Sequence, residues 1–498
     1  MIQLKLRTEH SFGLAYGKIP KVLDAVCKSG ESTAAAITDR GGTWGHISWA
    51  RECAKRKIKP IFGVELALVK DMLERTRQPI SYVVLLAQNK EGLRKIYHIT
   101  SLANQNFYEE ARIDKRLLED TTDIIVLLDC RNPSILPSGN VFVQAHPRSE
   151  YGGDDFNYAA VSDNFFPCAD DRKAYELAMG RQSTSCAEAQ HILTEAESVN
   201  LYSGQAAYQN TLLIANDMCE AFELDHAEPA EIFDEYSLKD MCISGAQKRG
   251  VDLNERKYAE RLDMELKEIE AKGFSDYFFI VADMVQHAKK QMLVGAARGS
   301  SSGSLVCYLL GITEINPIPH NLIFERFIDV NRADLPDIDI DFQDDKRQLI
   351  FDYLKQKYGE AKVARLGTIA RWQPRSVIGE GAKMLRVPEM KISELKNTII
   401  KRNPGDDRAD LCVKDALIRE QSLIKAYPHF FECAKIEGHA KHKSQHAAAL
   451  VITKEPINLY CAIDENGTAQ LDKYDAESLN LLKIDVLGLK TLTIIAET

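Results

Sequence analysis

Residues 333–342 read ADLPDIDIDF, which sets Asp337, Asp339 and Asp341 at alternate positions of a short apolar run. With a period of two, these carboxylates share one face with Leu335, while Ile338, Ile340 and Phe342 take the other. A half-buried strand with its polar face to water gives the same alternation. Aspartate is disfavoured in strands, however, and carboxylates at i and i+2 on one face repel unless a cation lies between them. A hard divalent ion with oxygen ligands, Mg²⁺ above all, offsets that repulsion and serves phosphate chemistry.

A two-metal site holds its ions roughly 3.5–4 Å apart and needs a further carboxylate from elsewhere in the fold. LLKIDVLGLK, residues 481–490, offers Asp485 on the polar face of a run whose other face is Leu482, Ile484 and Val486. Lys483 shares the face of Asp485, placed to meet phosphate charge. Taken alone, an aspartate in an apolar run is more often a hydrogen-bonded structural residue. Phosphate binding has its own candidate in GAARGSSSGSLVCYLLGIT, residues 295–313, a Gly/Ser-rich turn opening an apolar helix. Free N–H groups and the positive helix end are expected to cradle a polyphosphate there, with help from Arg298. It is not the P-loop pattern, because the G-K-[ST] ending is absent. A plain flexible turn has the same composition. Downstream, Arg326 in LIFERFID is a second fork-shaped donor suited to triphosphate oxygens.

The elements that must position these groups follow from periodicity. Short apolar runs alternate with amphipathic stretches up to about residue 225, through AAAITDRGG, PISYVVLLAQ, DIIVLLDC and NVFVQAHP, which predicts an α/β domain. Helical periodicity takes over in YAERLDMELKEIEAKG and DYFFIVADMVQHAKKQ, and residues 346 to about 436 are again mostly helical and rich in Lys and Arg. The last sixty residues return to strand-like runs. A chain of 498 residues exceeds one ordinary core, so two to four domains are expected. Hydrophobic residues at 45% and charged residues at 27% are the balance of a globular protein, and no apolar run is long enough to span a bilayer. The charged amino terminus does not read as a signal peptide, so a cytoplasmic location and no membrane partner are expected. Eleven cysteines without a C-x-x-C pair argue against a zinc site or a disulfide framework. A net charge of −10 excludes a protein that merely coats nucleic acid, so a polyanion must be held by a local basic groove or through metal ions.

The run from VGAARGSSSGS to ADLPDIDIDF, together with LGTIARWQPRSVIGEGAKML, SQHAAALVIT and QLDKYDAESLNLLKIDVLGLKTLTII, resembles the palm of the bacterial C-family replicative DNA polymerases, the DNA polymerase III alpha group. The resemblance covers most of residues 255–498. It implies a multidomain α/β and α+β chain: a PHP-like α/β barrel domain over 1–225, a nucleotidyltransferase-type palm over 226–370 and 437–498, and an inserted helical thumb over 371–436. It makes Asp337, Asp339 and Asp485 the catalytic metal-binding triad for two Mg²⁺ ions, with Asp341 in a supporting position. Gly299 and Ser300 match the family's Gly-Ser pair at the incoming nucleotide's phosphates, beside Arg298, Arg326 and Lys483. Two departures stand out: GAARGS replaces the family's Gly-Pro-Gly turn, and RWQP at 371–374 looks like a short insertion. The implied reaction is attack of a primer 3′-hydroxyl on a deoxynucleoside triphosphate (dNTP), so primer-template DNA and dNTP are the implied partners.

The first domain resembles the family's PHP phosphoesterase fold more weakly. Its metal motifs carry Arg7 and Glu9 in LRTEHSFG and Arg40 in ITDRGG where histidines are usual, although Asp39 and Glu65 remain. Cations there repel metal, so internal salt bridges to Asp39, Glu65 or Glu9 and a structural role are expected, with His10 and His146 as ordinary polar residues. In the family a fingers domain follows the third aspartate, then modules for the sliding clamp and clamp loader. The expectation is therefore a cut or split chain, as a compact phage replication system would allow, completed by a fingers-bearing second polypeptide. A non-catalytic replication scaffold and a PHP-type phosphoesterase are the alternatives. The intact aspartates speak against the first, and Arg7, Glu9 and Arg40 against the second.

Overall fold

The computed structural model describes residues 1–498 except 29, 31–32, 130–138, 148–156, 181–189, 203–205, 228–236, 329–337, 401 and 403–408. Asp337 and Leu335 thus lie outside the described residues. The chain separates into two compact units, one of residues 1–224, 368–444 and 461–466, the other of 225–367, 445–460 and 467–498. Residues 368–444 therefore cluster with the amino-terminal part.

In the first unit, strands β1 (Ala34–Ile37), β2 (Lys59–Leu68), β3 (Ser81–Ala87), β4 (Arg112–Ile113), β5 (Ile124–Leu128), β6 (Val141–Ala145) and β7 (Tyr158–Ala160) form one mixed sheet. Its order is β1-β2-β3-β5-β6-β7, with β4 also on β2. β1/β2 and β5/β6/β7 pair in parallel, whereas β3 is antiparallel to both neighbours. The strands read as continuous apolar runs because both faces are covered: Val64, Leu66, Val83 and Leu85 pack into one core, and Ile61, Val84, Leu86 and Ile125 into another. The same unit holds a small helical core in which Val377, Ile378, Leu395, Val413, Leu417 and Phe430 meet.

A second sheet, of order β11-β9-β10-β12-β8, is formed by β8 (Asp339–Gln343), β9 (Val363–Arg371), β10 (Ala440–Ile452), β11 (Thr468–Ala469) and β12 (Leu482–Leu489); β8, β11, β12 and residues 363–367 and 445–452 of the other two strands belong to the second unit. β12 lies between β10, antiparallel, and β8, parallel. Ile338, Ile340 and Phe342 are buried with Ile484 and Val486, against the helices Arg256–Ala271 and Ser275–Lys289. That burial turns the alternate positions of β8 and β12, the aspartates, onto the opposite face. No helix among the described residues is long and apolar enough to cross a membrane.

Candidate active site

Parallel pairing sets Asp339 directly opposite Asp485, and Asp341 opposite Leu487. Adjacent strands lie about 4.8 Å apart, so Asp339 and Asp485 project side by side from one face. Asp485 is only 7% exposed. Its Oδ2 is 2.9 Å from the Lys483 Nζ, while its Oδ1 is buried without a hydrogen-bond partner among the described residues. A buried carboxylate oxygen left without a donor is costly unless something cationic completes it.

The Gly/Ser-rich turn comes to the same place. Gly299 has φ 61° and ψ −150°, a conformation that glycine alone adopts freely, and a Cβ there would sit 3.3 Å from the Asp339 Oδ2. Arg298, Gly299 and Ser300 are exposed beside the aspartates. Arg298 donates from Nη1 to the Asp341 Oδ1 at 3.0 Å, and the Gly295 N–H donates to the Asp341 carbonyl at 2.7 Å. Asp341 therefore holds the turn and its arginine. Arg326, on the short turn Phe324–Arg326, is exposed and makes no ion pair among the described residues.

One expectation is corrected. The apolar helix after the turn is short, Leu305–Leu309, and its first N–H groups are already taken. Leu305 and Val306 donate to Glu265, at 2.9 and 3.0 Å, and Cys307 donates to the Ser304 Oγ at 3.1 Å. That helix end cannot cradle phosphate; only the turn ahead of it faces the aspartates. Glu265 escaped the sequence reading, although a signal existed. It interrupts the buried stripe Tyr258, Leu262, Leu266 and Ile269 of its helix, where an unpaired acid would not be tolerated.

A second cluster of charge lies in the first unit. Glu65 is fully buried and accepts from Arg7 Nε at 2.8 Å, Arg7 Nη2 at 2.7 Å and Arg40 Nε at 2.8 Å, with the Lys5 Nζ 3.1 Å away. Asp163 joins from the other side, 2.8 Å from Lys5 and 2.7 Å from Arg7, and His146 approaches it at 3.6 Å. Burial raises the Glu65 carboxyl, but Arg7, Lys5 and Arg40 outweigh it and hold the group well below the usual carboxylate range. Asp39 and Glu9 are not in this cluster. Asp39 accepts from the Thr8 amide, the Thr8 hydroxyl and the Ser11 hydroxyl, and His10 contacts Thr8. Glu9 accepts from Arg371 at 3.2 Å and from the Ala440 N–H at 2.8 Å. Lys5 and Asp163 were not singled out from sequence. The alternation of Lys5 with Arg7 placed both on one face, yet Ile2, Leu4 and Leu6 opposite are buried as well, so only the fold reveals that both faces are interior. Among the described residues no group of three or more His, Cys, Asp or Glu side chains is arranged to hold a metal ion.

The sequence matches the family described as bacterial DNA polymerase III alpha NTPase domain over residues 236–488, and the PHP domain family over residues 3–143. A curated DNA polymerase III subunit alpha of Staphylococcus aureus is 31% identical over 95% of this chain and 46% of its own length. That of Staphylococcus epidermidis is 30% identical over 96% and 46%. The chain thus spans about half the length of the curated relatives it matches. An amidohydrolase structure from Chromobacterium violaceum aligns at 21% identity with a TM-score of 0.14, over 22% of this chain and 40% of its own, and bears on neither fold nor chemistry.

Proposed function

The chain belongs to the bacterial DNA polymerase III alpha family, and we propose on that footing that it carries the nucleotidyl-transfer site of a template-directed DNA polymerase. The observation that carries the reading is the cross-strand pair Asp339–Asp485, with one buried Asp485 oxygen lacking a donor and Gly299 against the Asp339 carboxylate.

These residues fit divalent cations, since two carboxylates side by side with an uncompensated oxygen are the donor set that hard ions take. Asp339 and Asp485 would hold them, with Asp337 proposed as the third ligand, and Mg²⁺ as the ion. Bound there, two such ions supply the positive charge that makes a primer 3′-hydroxyl acidic and stabilises departing pyrophosphate. Arg298, Gly299, Ser300, Arg326 and Lys483 are assigned to the triphosphate of a dNTP. Lys483 holds Asp485 in place through its 2.9 Å contact, so a phosphate competing for that ammonium would free the carboxylate for a cation. Asp341 fixes the angle of Arg298, and the absence of a side chain at 299 lets the phosphates approach the aspartates.

Primer-template DNA is the proposed partner, with the sliding clamp and clamp loader proposed as further ones. A phosphoesterase reading of the first unit is disfavoured by Arg7 and Arg40, which occupy the Glu65 carboxylate. The test is primer extension by the protein and by its Asp339→Asn variant. Mg²⁺-dependent synthesis that disappears in the variant is expected. Undiminished synthesis by Asp339→Asn removes the carboxylate from the mechanism.

A further inference from the structure

Arg261 and Glu265 lie one turn apart on the helix Arg256–Ala271, and both turn inward. The Arg261 Nε donates to the Glu265 Oε1 at 2.6 Å, and its Nη2 donates to two backbone carbonyls, Gly303 at 2.6 Å and Leu322 at 3.1 Å. Glu265 is fully buried and accepts from the Ser304 hydroxyl at 2.8 Å as well as from the Leu305 and Val306 amides. One buried ion pair thus fastens the end of the Ser300 turn and the start of the segment that carries Arg326. The two segments touch where they are fastened: a Cβ at Gly303 would lie 2.7 Å from the Ile323 carbonyl oxygen.

We propose that the Arg261–Glu265 pair is a positioning device that sets the spacing between the Ser300 turn and the Arg326 turn, and through it the grip on a nucleoside triphosphate. The proposal rests on the nucleotide reading of those two turns. Neither residue reaches the nucleotide. A charged pair serves here because it takes up two carbonyls, two amides and a hydroxyl from two backbone segments at once. Lysine at 261 keeps the charge opposite Glu265 but has no planar fork with which to bridge Gly303 and Leu322 together.

The experiment uses the whole chain and dATP with Mg²⁺ in equilibrium titrations, alongside hydrogen exchange followed by mass spectrometry. Arg261→Lys is expected to weaken dATP about tenfold, to leave the fold intact by circular dichroism, and to speed exchange in peptides covering 299–304 and 322–328. Adding Ser300→Ala should cost less in that background than in the wild type, which a general loss of stability would not produce. Unchanged dATP affinity in a folded Arg261→Lys overturns the proposal while leaving the nucleotide reading standing. A wild type with no affinity for dATP removes both. Should Arg261→Lys fail to fold, Glu265→Gln, which keeps the volume and one acceptor, takes its place with the same expectations. Independently of any variant, fast exchange at the wild-type Leu305 and Val306 amides contradicts the clamp.

Discussion

Replacing Glu65 by Gln removes one charge from the centre of the amino-terminal cluster without changing its volume. Glu65 is 0% exposed, and three cations approach it at 2.7–3.1 Å; two of them, Lys5 and Arg7, are themselves only 4% and 1% exposed. After the change, Asp163 alone would face Lys5 and Arg7, and Arg7 already has a buried Nη1 without a partner among the described residues. Breaking a buried pair by deleting one member costs about 3–5 kcal/mol, because the other charge stays behind uncompensated. All three tryptophans, Trp44, Trp49 and Trp372, belong to the same unit, so their fluorescence during urea unfolding reports on it selectively. With a slope of about 3 kcal/mol per molar urea, the midpoint should fall by roughly 1–1.7 M. The sign with pH is also fixed. The Glu65 carboxyl is held well below its ordinary 4.5, so its contribution is complete above that pH and is lost as pH falls through the folded value. The gap between wild type and variant should therefore narrow below about pH 4.5. Added Zn²⁺ or Mn²⁺ should not move the wild-type midpoint, since the arginines occupy the carboxylate. A midpoint shift under about 0.3 M, near 1 kcal/mol, would show that the cluster is compensated some other way and refute the reasoning.

Glu9→Gln should destabilise the same unit in a pH-dependent manner. Burial opposes ionisation of Glu9, yet His439, Arg371, His10 and the Ala440 amide bring it down to about 2 from 4.5. His439 is itself kept from protonating by burial, so near neutral pH Arg371 and the amide carry the pairing. The stabilisation should be present above pH 4.5 and fade towards pH 2; equal urea midpoints at pH 7 would contradict it. Gly299→Ala forces a side chain into positive φ, a strain of about 1–3 kcal/mol, and against the Asp339 carboxylate; dATP affinity should fall at least tenfold, and the melting temperature by several degrees. Asp341→Asn should weaken dATP several-fold, and no further in an Arg298→Ala background, because it acts through that arginine; full additivity in the double variant would count against the link.

Local alternation made both halves of the site legible. Ile338, Ile340 and Phe342 on one strand, and Leu482, Ile484 and Val486 on the other, marked the buried faces and so the faces of the aspartates. The register that sets Asp339 opposite Asp485 was not legible, because parallel pairing between distant segments leaves no local pattern; the need of a two-metal site for a further carboxylate suggested Asp485, and the family resemblance made it one of a triad. The glycine-rich turn was readable as a turn, but the helix end expected to help cradle a phosphate is capped by Glu265 from another helix, a long-range contact invisible in the motif itself. In the first unit, the expected internal salt bridges occur at Glu65, whereas Glu9 turns instead to Arg371 and Ala440, far away in sequence. Composition records that such charges must be paired; tertiary structure decides with whom.

The carboxylates of Asp339 and Asp485 are proposed to hold divalent ions jointly against a nucleotide. Mn²⁺ titration followed by electron paramagnetic resonance, with dATP present, tests it without requiring turnover. Two bound ions per wild-type chain and loss of binding in both Asp339→Asn and Asp485→Asn are expected, each judged against a Glu65→Gln control that keeps both ions. Two ions bound with equal affinity in the wild type and in either aspartate variant would contradict it.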